Sequence, residues 1–164
     1  MSGKLRDTLK NKELVRKVDF TLDTDLVELA GYHAYLYPDE ETIITVNSKQ
    51  FVVVNTIFEH ETGLDALTVQ NLISNEYTII YVGTDIEAVN GMQDLITDVQ
   101  LLSKLTPEQI KAARKYFNNM EKEYGEISSI TGNSLGGGLT NSVAVEHPDV
   151  KAVTLSSYFT RWYD

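Results

Sequence analysis

The chain has 164 residues, room for one domain of ordinary size. Apolar residues make up 42% and charged residues 23%, average values that exclude disordered and fibrous classes. Asp and Glu number 24 against 14 Lys and Arg, and the resulting net charge of −10 repels phosphate backbones and excludes nucleic acid as an expected partner. With no cysteine there are no disulfides, thiolate metal sites or cysteine nucleophiles, and no two of His33, His60 and His147 stand at a metal-ligand spacing. Neither a metal nor a cofactor is expected.

The first residues, MSGKLRDTLKNKELVRK, are polar and lack the apolar core of a secretory signal. No stretch approaches the ~18 apolar residues of a transmembrane segment. The expectation is a cytoplasmic protein, or one exported by a route that needs no cleaved signal. Residues 4–17 read as a polar helix. A second helix is expected over residues 25–37, where Leu26, Leu29, Ala30, His33 and Tyr37 share one face before Pro38 and an acidic run. A β-rich block follows: residues 51–58 are dense in β-branched side chains, residues 67–69 alternate, and residues 77–82 (YTIIYV) make a short buried strand.

The second half reads differently. Residues 94–102 have helical periodicity. Thr106, Pro107 and Gln109 supply an N-cap, a first-turn proline and a capping-box partner for a helix over residues 106–124, with Ile110, Ala113, Phe117, Met120 and Tyr124 as its apolar stripe. Residues 127–130 are a strand, 136–146 a helix stopped by Pro148, and 150–155 a strand. Strand and helix alternating in this order imply parallel βαβ units. The expected fold is α/β: a mostly parallel sheet flanked by helices, with residues 1–40 as a helical N-terminal segment. Strands 77–82, 127–130 and 150–155 should be parallel neighbours.

The chemistry concentrates in residues 128–140, SSITGNSLGGGLT. Gly132, Ser134 and Gly136 form a G-x-S-x-G between a strand and a helix, the setting that a nucleophile elbow requires. The helix that begins after Ser134 aims its free N–H groups and positive end at the same spot, favouring an oxyanion, and the N–H of Leu135 faces the developing charge.

Together the segments IIYVGTD (79–85), DLITD (94–98) and TGNSLGGGLT (131–140) resemble the class 3 lipase family of α/β hydrolases. The resemblance implies Ser134 as nucleophile, Thr84 and Leu135 as the oxyanion hole, Asp98 as the group that orients Thr84, and a lipid or other carboxylic ester as substrate. Asn133 stands where the family has His, and Leu95 where it has Trp.

An α/β hydrolase places its acid and base after the nucleophile, in the order Ser, Asp or Glu, His. After Ser134 this chain has one helix, one strand and the aromatic-rich SSYFTRWYD. His147 is the one downstream histidine, but the intervening helix sets it roughly 20 Å away at ~1.5 Å per residue, so it reads as a helix C-terminal cap. His33 reads as a core-edge residue and His60 as a strand end. The expectation is therefore a single lipase-like domain, residues 1–164, truncated at its C-terminus by a shortened reading frame or as a fragment, and lacking its own triad acid and base. The competing expectation is a non-catalytic pseudo-hydrolase that binds a partner, including a second copy paired through an open sheet edge.

Overall fold

A six-stranded sheet organises the computed structural model, which describes residues 19–83 and 105–155. Its strands lie side by side in chain order: β1 (Ile43–Val46), β2 (Lys49–Ile57), β3 (Ala66–Asn71), β4 (Tyr77–Tyr81), β5 (Ile127–Asn133) and β6 (Lys151–Leu155). Helices α1 (Asp23–Gly31), α2 (Pro107–Tyr124) and α3 (Leu135–Ala144) accompany them. The helices expected over 4–17 and 94–102 lie outside the described residues.

The α/β class is as expected, and β4, β5 and β6 are parallel neighbours. The sheet as a whole is mixed rather than mostly parallel, because β1 to β4 pair antiparallel. The connections dictate this. Val46 pairs with Lys49 across a two-residue turn, Asn47-Ser48, whose φ angles of 49° and 65° match the twist of a tight hairpin. Between β3 and β4, the Asn71 side-chain carbonyl accepts from the Ile73 and Ser74 amides and folds the chain back at once. Neither connection is long enough for a parallel crossover.

Helix α1 buries Leu26, Leu29 and Ala30 as the periodicity requires. It does not continue to Tyr37. It ends at Gly31, and a 3-10 turn over His33–Leu36 follows, closed by Tyr37 in the left-handed region at φ 47°. Helix α2 has the expected capping box: the Thr106 side chain accepts from the Gln109 amide, and the Gln109 side chain accepts from the Thr106 amide. Its apolar stripe also includes Tyr116, which lies between Ala113 and Met120 on the same face and is buried.

Two clusters of buried side chains cover the two faces of the sheet. One joins α2 and α3 to the sheet through Tyr81, Phe117, Ile127, Ile130, Leu139 and Val143. The other lies against α1 and contains Leu29, Phe51, Val69, Ile80 and Val82. Ile127 and Ile130 are three apart yet belong to one cluster, because a register shift between β4 and β5 takes Ser128 out of the ladder.

Two phenols in the core make stability depend on alkaline pH. The Tyr81 hydroxyl donates to the Ala113 carbonyl at 2.8 Å, and the Tyr116 hydroxyl lies 2.9 Å from Thr68 Oγ1. Burial pushes both pKa values far above the ordinary tyrosine value of 10.0. The folded state keeps these protons where the unfolded chain releases them, so the stability present below pH 10 declines above it. In urea melts these two groups should leave the unfolding free energy flat to about pH 9 and add a fall that approaches roughly 2.7 kcal/mol per pH unit above about pH 10. Tyr116→Phe should make that fall shallower by roughly 1.4 kcal/mol per pH unit.

Candidate functional site

Strand β5 runs from Ile127 to Asn133, and α3 begins at Leu135, so Ser134 alone makes the turn from strand to helix. Its backbone, at φ 56° and ψ −120°, is in the region that L-residues avoid, a strain on the order of 1–3 kcal/mol that the surroundings must hold in place. They do so from both sides. The Ser134 amide donates to the Leu155 carbonyl at the end of β6 (3.0 Å), and the Ser134 carbonyl accepts from the amides of Gly137 (3.0 Å) and Gly138 (3.2 Å). The residue is half-buried, and its side chain makes no capping bond to the helix.

The two flanking glycines allow this turn. A Cβ on Gly132 would collide with the Gly136 carbonyl and come within 2.8 Å of Thr140 Oγ1. A Cβ on Gly136 would sit 3.0 Å from the Gly83 amide nitrogen and far closer still to the Tyr81 carbonyl. The backbones of β4, β5 and α3 thus meet without side chains between them. Leu135 occupies the first helical position, where an N–H has no intrahelical carbonyl to bond, and the positive end of the helix faces the Ser134 side.

Thr84 and Asp98 lie outside the described residues. Gly83, the last described residue before them, packs against the elbow: a Cβ there would run into the Asn133 carbonyl and come within 3.1 Å of the Tyr35 hydroxyl. Asn133 itself is buried, and its side-chain amide donates to the Tyr35 hydroxyl at 3.0 Å. Tyr35 sits on the 3-10 turn after α1, and the sequence pattern did not single it out.

All three histidines are engaged elsewhere. His33 Nε2 lies 3.3 Å from Glu28 Oε1, and His60 Nδ1 lies 2.6 Å from Thr62 Oγ1. The His147 ring rests on Phe117, with centroids 3.9 Å apart, beyond the far end of α3 from Ser134. Among the described residues, no cluster of His, Cys, Asp or Glu could hold a metal ion, and no helix is long and apolar enough to cross a membrane.

Among solved structures, a triacylglycerol lipase from Penicillium expansum is similar with a TM-score of 0.42 and 14% identity, covering 80% of this chain and 55% of its own. The Rhizomucor miehei lipase in complex with its propeptide is similar with a TM-score of 0.42 and 10% identity, covering 88% and 52%. A fungal lipase bound to an inhibitor gives a TM-score of 0.33 at 12% identity, covering 61% and 44%. The chain spans about half the length of the first two structures. No family model and no curated protein matches it by sequence.

Proposed function

We propose that this chain carries the nucleophile and oxyanion-hole part of a serine hydrolase of the class 3 lipase type, acting on carboxylic esters of lipids. The observation that carries the reading is Ser134 at φ 56° on a one-residue turn between β5 and α3. Such a turn is the strained elbow that lifts a serine hydroxyl to the end of an α/β sheet. In the proposed reaction Ser134 Oγ attacks the ester carbonyl as its proton passes to a base, the tetrahedral oxyanion collapses as the base returns that proton to the departing alcohol, and water then cleaves the acyl-serine to the acid and free Ser134. The Leu135 amide and Thr84 receive the oxyanion, and Asp98 orients Thr84. Gly83 packing against Asn133 supports the part given to Thr84, its covalent neighbour. Gly132 and Gly136 keep the crossing free of side chains.

The histidine positions favour a second reading, in which the same scaffold binds a partner without turnover. In the first reading the base is supplied by further sequence or by a second copy. A fluorophosphonate probe separates the two, with covalent uptake followed by intact mass. Alone, the chain should label slowly, because an unassisted hydroxyl is a poor nucleophile. Added imidazole should accelerate uptake at Ser134 and do nothing in Ser134→Ala. Equal uptake by the two proteins in imidazole would leave only the binding reading.

A further inference from the structure

The face of β5 turned toward α1 is unlike the other strand faces of the core. Ser129, Thr131 and Asn133 alternate along it and are all buried. Ser129 Oγ is 2.8 Å from Thr78 Oγ1, and the Asn133 amide donates to Tyr35. Thr131 Oγ1 and Asn133 Oδ1 have no partner among the described residues. A buried polar atom without a partner costs about 1–3 kcal/mol, and valine or leucine at these positions would avoid that cost. The polar row runs along the strand that ends at Ser134.

From this arrangement we infer that Tyr35 is a positioning residue for Ser134, acting through Asn133; the inference rests on the hydrolase reading above. Asn133 is the last residue before the strained turn, and three contacts fix it. Its backbone pairs with Leu155 of β6, its carbonyl abuts Gly83, and its side chain is tied to the Tyr35 hydroxyl. Rotation of the Asn133 peptide would change the φ of 56° at Ser134 and with it the direction of the Ser134 hydroxyl. The Tyr35 bond opposes that rotation from the α1 side of the sheet, where no other described side chain bonds to Asn133. A group that sets the direction of attack acts on the bond-forming step more than on encounter with the probe.

The test is a double-mutant cycle on fluorophosphonate labelling of Ser134 in imidazole, with probe affinity and maximal labelling rate measured separately. Tyr35→Phe and Asn133→Leu should each lower the maximal rate about tenfold with affinity unchanged, a loss of the size expected for one positioning hydrogen bond. The double variant should be no slower than either single one, because both remove the same link. Labelling of Tyr35→Phe at the wild-type rate overturns the inference and leaves the hydrolase reading intact. Additive losses overturn it too, since the residues then act independently. If wild type labels no faster than Ser134→Ala, the hydrolase reading falls and this inference falls with it. Should Asn133→Leu fail to fold, as judged by near-UV circular dichroism, the rate-against-affinity split in Tyr35→Phe decides alone.

Discussion

Gly136→Ala is expected to abolish the fold around the elbow, with a loss on the order of 4 kcal/mol or more by urea denaturation. The added methyl would enter the space of the Tyr81 carbonyl and lie 3.0 Å from the Gly83 amide nitrogen, so it meets two backbones and no flexible side chain. Relief requires moving α3 off the sheet. That movement breaks the Gly137 and Gly138 bonds to the Ser134 carbonyl and uncovers Leu139 and Val143. The control is Gly138→Ala on the same helix. Its methyl meets Leu105 Cδ1 at 2.9 Å, the far end of a side chain that can rotate away. Helix propensity favours alanine over glycine by up to about 1 kcal/mol, so Gly138→Ala should lie within about 1 kcal/mol of wild type. A Gly136→Ala loss as small as that of Gly138→Ala would show that the α3–β4 contact is looser than described.

Where signals are local, they are legible in the sequence. Thr106, Pro107 and Gln109 announce the start of α2, because a capping box is made within four consecutive residues. The parallel trio β4, β5 and β6 follows from helix-length segments between strands. The hairpin of β1 and β2 has an equally local signal, four β-formers before Asn47-Ser48, and reading that pair as a tight turn would have given the antiparallel pairing of β1 with β2. Tyr116 is a different case. Its hydroxyl obscures its place in the apolar stripe, and only the structure supplies the Thr68 and Asn55 oxygens that satisfy it.

The site divides in the same way. Gly132, Ser134 and Gly136 lie within five residues, so the turn is legible once a strand is placed before it and a helix after it. His147 is eliminated as a base by helix length, and the structure gives it Phe117 as a neighbour. Tyr35 is separated from Asn133 by 98 positions. Nothing near either residue marks the pair, because the contact exists only once α1 has docked and the chain has broken from helix into a 3-10 turn.

That docking rests on a buried ion pair, and Lys49→Met should destabilise the protein by about 3–5 kcal/mol. Asp25 on α1 is 0% exposed and Lys49 on β2 is 5% exposed, with Lys49 Nζ 2.6 Å from Asp25 Oδ2. Asp25 also accepts from the Leu22 amide and from the Asn47 side chain, both at 2.8 Å, so one carboxylate joins the start of α1 to the β1–β2 turn. Methionine keeps much of the lysine volume but leaves the carboxylate buried without a cation. Asp25→Asn combined with Lys49→Met removes both charges and can retain uncharged hydrogen bonds, so the double variant should recover most of the loss. The ion pair between Lys151 and Asp23 also involves α1, but its side chains are 45% and 68% exposed. Water and salt screen it, and Lys151→Ala should stay within about 0.5 kcal/mol of wild type. Urea melts of the three variants distinguish the two pairs. A Lys49→Met protein as stable as Lys151→Ala would mean that α1 is held by Leu26, Leu29 and Ala30 alone, with the buried charges adding nothing.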